Sequence, residues 1–175
     1  IADCLKSASW SDDIVVVDDF STDKTAELAK AHGARVVQRK MDIEGRHRNY
    51  AYSLAKNNWV LSLDADERVT PELAAELAAL LKTAMKDKAY TIPIRSFIGK
   101  RWIQYAGWYP AAKVRLIDNR HFKYEEAEVH PRVFIDGTCG HDTSNYVMPR
   151  FRITVPEPSS LGMLGLAVLG LLRRR

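Results

Sequence analysis

Ile14-Val15-Val16-Val17 is an unbroken β-branched run with acids on either side. Such a run reads as a strand covered on both faces, because a strand with one wet face alternates apolar and polar residues. Asp18 to Asp23 follow as a polar turn, and a helix is predicted from about Lys24 to His32, stopped by Gly33. Arg35 to Gln38 is the next short strand. Asn49 to Lys56 is predicted helical, and Trp59-Val60-Leu61-Ser62-Leu63 is a second strongly apolar strand that runs into Asp64-Ala65-Asp66-Glu67-Arg68. Thr70-Pro71-Glu72 then supplies an N-cap, a proline at the first helical position and an acid in the first turn. Leu73, Leu77, Leu80, Leu81 and Ala84 fall at helical spacing and give that helix one apolar face. From residue 89 to 150 Tyr, Trp, Arg and Pro enter, and short strands at 90–94 and 114–117 replace the regular alternation. Strand, helix and strand in alternation predict an α/β domain with a mainly parallel sheet flanked by helices.

The two ends carry separate signals. Ile1 to Ala8 reads as the later part of an amphipathic helix, so the domain is expected to have begun further upstream, and no basic-then-apolar leader is visible. At the other end, Val155-Pro156-Glu157-Pro158 precedes an apolar run from Leu161 to Leu172 and three arginines. As a helix that run spans about 18 Å, short against a bilayer core of about 30 Å. Pro-Glu-Pro, apolar run and Arg cluster in this order resemble the PEP-CTERM sorting tail of exported Gram-negative proteins. A buried C-terminal helix is the competing reading, weakened by Gly162, Gly165 and Gly170. The expected organisation is a domain over 1–150, a linker over 151–160, and an apolar helix with its Arg cluster over 161–175.

Composition narrows the class without naming it. The 175 residues are 46% apolar and 27% charged, which excludes a disordered chain. The formal charge is +4, and half of that excess comes from Arg173, Arg174 and Arg175 against Glu157. The body therefore has no charge case for nucleic acid. Cys4 and Cys139 make neither a disulfide framework nor a metal-ligand spacing.

The chemistry gathers at strand ends. In open α/β sheets ligands bind beyond the carboxyl ends of the strands, and this sequence puts Asp18-Asp19 and Asp64-Ala65-Asp66 there. Residues i and i+2 of an extended segment point the same way, so Asp64 and Asp66 are expected to present two carboxylates to one point. Two hard oxygen donors suit Mg²⁺ or Mn²⁺, which shares its shell with phosphate oxygens and water. Such a cation would neutralise a departing diphosphate. Asp23, Glu67 and Glu72 read instead as helix-capping acids.

Ile14–Asp23, Arg46-His47-Arg48-Asn49-Tyr50-Ala51 and Trp59–Arg68 together resemble the family 2 glycosyltransferases of the GT-A fold. The nearest branch in resemblance is the one that adds sugars to lipopolysaccharide core. Phe97 to Trp102, Gly107-Trp108-Tyr109-Pro110 and Lys113 to Ile117 are similar to that branch's acceptor-side segment, and the likeness runs to about Gly140. It implies a GT-A, Rossmann-like sheet whose first strand is missing here. It also implies inverting transfer of a sugar from a nucleotide-diphosphate donor, UDP in the first place, to a hydroxyl of a lipid-linked glycan at the cytoplasmic face of the inner membrane. Asp18 and Asp19 would meet the base or ribose, and Asp64 and Asp66 the ribose and the diphosphate-bound Mn²⁺ or Mg²⁺. Arg46, Arg48 and Asn49 would lie near the donor, although both arginines also fit a solvated face. The general base is expected just after the acceptor segment. There the chain reads Tyr124-Glu125-Glu126-Ala127-Glu128-Val129-His130-Pro131, with proline where that branch carries an acid. Glu128 and Glu126 are the remaining candidates, His130 is a candidate metal or acceptor contact, and Trp102, Trp108 and Tyr109 are candidate stacking surfaces for the acceptor.

Beyond Gly137 the sequence departs from the resemblance, and the two signals disagree on location. A cytosolic donor belongs inside, whereas a working sorting tail places the protein in the cell envelope. A transferase fragment joined to an unrelated tail reconciles them. Two rivals remain open: a non-catalytic surface protein retained by its tail, and a phospho-accepting receiver domain in which Asp64 takes a phosphoryl group beside Asp18 and Asp19.

Overall fold

The computed structural model describes residues 1–128 and 131–138, together with the backbone of 153–155 and 166–171. The elements are α1 (Ala2–Ser7), β1 (Asp13–Asp18), α2 (Thr25–Ala31), β2 (Arg35–Gln38), α3 (Glu44–Ser53), β3 (Trp59–Asp64), β4 (Arg68–Val69) and α4 (Pro71–Leu80). They continue with β5 (Ala89–Ile98), β6 (Arg101–Trp102), β7 (Ala111–Asp118), β8 (Phe122–Tyr124), β9 (Val133–Ile135), β10 (Ile153–Val155) and β11 (Leu166–Leu171).

Local chemistry explains the boundaries. Gly33 ends α2 at φ +79°, a conformation that a Cβ disfavours. Thr70 caps α4, its hydroxyl accepting the Leu73 N–H at 3.2 Å, and Pro71 opens the helix as expected. Asp23 accepts the Thr25 N–H at 2.9 Å and settles the start of α2. The helix expected from Asn49 starts earlier, at Glu44, so that Arg46, His47 and Arg48 ride on α3 rather than on the loop before it.

The sheet is mixed, and this corrects the expectation of a mainly parallel one. Its strands run in the order β2-β1-β11-β3-β7-β5-β10-β4, with β6 attached to β5; β8 and β9 form a separate ribbon. Within the large sheet only β1–β2 and β10–β5 pair parallel. The crossover through α2 produces the first parallel pair. The segment 89–118 instead folds straight back, pairing β5 with β7 antiparallel, and β7 then joins β3 antiparallel.

The apolar tail differs from expectation too. Residues 166–171 are a strand, not part of a helix, lying antiparallel between β1 and β3. A short apolar run is ambiguous between the two states by periodicity alone. Here the destination decides it, because a strand position covered on both faces takes a continuous apolar sequence. Ile153–Val155, inside the stretch read as a linker, pair as β10 with β4 and β5. The remainder of 161–175 and Cys139 lie outside the described residues. No helix among the described residues is long and apolar enough to cross a membrane.

Two apolar clusters sandwich the sheet. On one face Ile14, Val16, Leu61 and Leu63 pack with Cys4 and Leu5 of α1, Ala29 of α2 and Leu73 and Leu77 of α4. On the other, Val15, Val17 and Val60 pack with Ala51 and Tyr52 of α3 and with Ile117 and Phe122. Tyr52 is buried, and its hydroxyl finds Ser62 Oγ at 2.8 Å. Both faces of β1 and β3 are thus dry, and at their acidic ends Asp64 is partly exposed while Asp18 and Asp19 stay buried. The Thr70 cap is separable from this packing. Thr70→Ala should destabilise the protein by about 1 kcal/mol in chemical denaturation.

Candidate active site

The end of β3 is organised by a buried cation. Arg115, from β7, is 3% exposed. Its guanidinium donates to Asp64 Oδ2 at 2.7 Å and also contacts the Glu67 carboxylate. Burial disfavours the Arg115 charge, yet the two acids keep its pKa above the usual arginine value. Arg48 reaches Asp64 Oδ1 from α3 at 3.5 Å while holding Glu44 at 2.9 Å. Burial alone would raise the Asp64 pKa, but Arg115 and Arg48 hold it below the ordinary value. Glu67 goes the other way, pushed up by burial to about 7. It is therefore part of the charge cluster and not the helix cap expected from sequence.

Asp64 and Asp66 are not successive residues of an extended run. The Glu67 N–H donates to the Asp64 carbonyl at 2.9 Å and the Asp64 N–H to Glu67 Oε2 at 3.0 Å, so 64–67 is a closed turn. Asp64 is consequently an anchored acid. Asp66 sits at the half-buried corner of that turn, and among the described residues no ion pair is formed by it. Burial, with the charge of Asp64 added, raises its pKa. Arg115 and Lys113 offset this only in part, so a half-buried carboxylate beside a second one is a place where a cation would lower the energy. No group of three His, Cys, Asp or Glu side chains among the described residues could hold a metal by itself. The two acids fit Mg²⁺ or Mn²⁺ only if phosphate oxygens and water complete the shell.

At the end of β1, Asp18 is fully buried and accepts from the Ser21 hydroxyl and N–H and from Gln38 Nε2 at 3.2 Å. Asp19 accepts the Met41 N–H at 2.9 Å with Lys40 at 3.6 Å. Both acids brace the turn at Phe20, whose φ is +54°.

On α3, Arg46 is committed outward, to Asp42 at 2.6 Å and Glu126 at 3.0 Å. Asn49 clamps β8, giving Nδ2–H to the Tyr124 carbonyl at 2.9 Å and accepting the Tyr124 N–H at 2.8 Å. The helix and the turn after β8 touch at Gly45, where a Cβ would fall 1.7 Å from the Glu125 carbonyl oxygen. Of the candidate bases, Glu126 is the partner of Arg46, and Glu128 is exposed. His130 lies outside the described residues.

Trp102 and Tyr109 stack edge to face at 5.2 Å with Arg95 over the indole at 4.3 Å, whereas Trp108 is half exposed. An open cleft of about 690 Å³ between α3, β8 and β9 contains Asn49 but none of the acidic strand ends. Sequence reasoning missed Arg115 and the cluster role of Glu67. A lone arginine in an apolar strand, Val114-Arg115-Leu116, was the signal, since arginine is almost never fully buried unless paired.

His47 is the third missed group. It is buried on α3, and Arg39 donates to its Nδ1 at 3.1 Å, so its proton sits on Nε2. Burial, then the Arg39 charge, lowers its pKa.

The Glycosyl transferase family 2 model matches residues 1–140, and the PEP-CTERM protein-sorting motif matches 154–175. An uncharacterized glycosyltransferase of Rickettsia typhi is 31% identical over 113 residues, covering 64% of this chain and 39% of that protein. One from Rickettsia bellii is 33% identical over 91 residues, covering 52% and 31%. The chain thus spans about a third of the length of these curated relatives. The match overturns the receiver reading.

Arg115→Met should cost about 3–5 kcal/mol in denaturant unfolding, because it strands the buried Glu67 and leaves Asp64 only Arg48. His47 yields a pH test. Its lowered folded pKa means that the unfolded chain binds the proton more readily. Wild-type stability, relative to His47→Gln, should therefore fall as pH drops below about 6.5.

Proposed function

We propose a sugar-donor role for the acidic strand ends from one premise: the chain belongs to glycosyl transferase family 2. The donor is a nucleoside-diphosphate sugar, UDP-linked, and the acceptor is a hydroxyl on a lipid-linked cell-envelope glycan such as lipopolysaccharide core. The observation that carries the reading is Asp66, a half-buried carboxylate in no direct ion pair among the described residues, beside the anchored Asp64. Asp18 and Asp19 take the base and ribose once the turn that buries Asp18 opens, Arg48 faces the donor from α3, and Arg46 joins it by leaving Asp42 and Glu126. Asp66, with Asp64, holds Mn²⁺ or Mg²⁺, and the metal when bound neutralises the charge that develops on the leaving diphosphate.

The acceptor hydroxyl attacks the anomeric carbon from the side opposite the diphosphate, and the configuration inverts. Its proton passes to a carboxylate of the turn after β8. Glu126 is held by Arg46, which leaves Glu128 as the base. Trp108, half exposed, stacks on the acceptor, with Trp102 and Tyr109 behind it. Donor chemistry puts this work at the cytoplasmic face of the inner membrane, and the sorting motif supports a cell-envelope destination.

Calorimetry of the full chain with UDP decides the reading. Binding is expected with Mn²⁺, lost with EDTA, and reduced at least about tenfold, or about 1.4 kcal/mol, in Asp64→Ala/Asp66→Ala that remains folded. No binding by folded wild type would overturn it, and the sorting motif would then favour a non-catalytic surface protein retained by its tail.

A further inference from the structure

Strands β1 and β3 run parallel to each other and do not pair directly; β11 lies between them. Five residues of β1, Asp13 to Val17, are matched by Gly170 back to Leu166. All six of β3, Trp59 to Asp64, are matched by Leu171 back to Leu166. Both flanking strands are among the most buried in the molecule, with Val15, Val16, Val17, Val60, Leu61 and Leu63 at 0% exposure. Backbone groups at that depth must be paired. The sequence that pairs them, Leu166-Ala167-Val168-Leu169-Gly170-Leu171, is the apolar centre of the sorting motif.

We propose that the gap between β1 and β3 is a strand-binding slot whose occupant is the chain's own residues 166–171, so that reading of the sorting tail by another protein and use of the acidic site exclude each other. A strand hydrogen-bonded on both edges offers no backbone to a second binder, so any such reader has to draw the tail out. Withdrawal opens the sheet at the site itself, because Leu166 is paired to Val17 on one side and Asp64 on the other.

Occupation within one chain is sterically simple. From β10 to β11 there are four strand spacings, about 19 Å. The eleven residue steps from Val155 to Leu166 reach about 36 Å when extended. The exclusion of site use rests on the donor-binding reading, whereas the slot rests on the ladder alone.

The test uses the full chain with Cys4→Ala and Cys139→Ala. Val15 and Val168 are Cα partners, and ladder partners lie within disulfide range, about 4.5–5.5 Å. Val15→Cys/Val168→Cys should close an intramolecular disulfide on oxidation, while the out-of-register pair Val15→Cys/Leu166→Cys should not. A disulfide between two chains, equal yields from both pairs, or no disulfide would each overturn the slot.

In hydrogen exchange, Val168→Pro removes a central-strand donor. The amides of 14–17 and 60–63 should then exchange about tenfold or more faster. Unchanged exchange overturns the slot as well. UDP binding should be kept by the oxidised in-register pair and lost in Val168→Pro. Equal UDP binding in both would sink the exclusion. If wild type itself fails to bind UDP, the donor reading has failed, and the disulfide and exchange results still judge the slot.

Discussion

A guanidinium in a dry interior has to be surrounded by acids, and much of this site follows from that necessity. Arg115 lies on β7, next to the end of β3, and its charge is tolerable only because Asp64 and Glu67 turn inward to meet it. The turn at 64–67 closes as it does because both acids are held. Asp66, between them in sequence, is thereby pushed to the corner. The buried arginine thus divides the labour among three neighbouring carboxylates: one anchored, one sharing the cation at a raised pKa, and one left to the solvent side.

The same economy governs the other strand end. Asp18 and Asp19 are spent largely on bracing their own turn through Ser21, Gln38 and Met41. Helix α3 joins the end of β3 to the ribbon β8–β9 and the turn after β8, through Arg48 to Asp64, Arg46 to Glu126 and Asn49 to the Tyr124 backbone. Acids from β3, arginines from α3 and acids of the turn after β8 are therefore one mechanically connected set.

Local patterns made much of this legible. The β-branched run of β1, the Thr70-Pro71-Glu72 start of α4 and the stop at Gly33 each state their structure in a few residues, and the structure agrees. What could not be read was set by distant partners. Arg115 and Glu67 meet across 48 positions, and neither one's neighbours hint at the other. The closed turn at 64–67 depends on that meeting, so the extended spacing expected for Asp64 and Asp66 failed with it. The direction of the sheet was misjudged because alternation of elements reports crossovers, and says nothing of segments such as 89–118 that fold straight back. The tail was misjudged because an apolar hexamer carries no mark of helix or strand until its destination is known.

Gly45 sets the gauge of this assembly. With hydrogen as its side chain, α3 comes close enough for its Gly45 N–H to donate to the Ala127 carbonyl at 3.3 Å, with the Glu125 carbonyl lying where a methyl group would stand. One missing carbon thus fixes how far the arginines of α3 stand from the acids that follow β8. A larger residue would have to lever the whole ribbon outward, widening the gap between α3 and the acids after β8 without changing a single charge. The reach of the site is ruled by an uncharged position that touches no substrate.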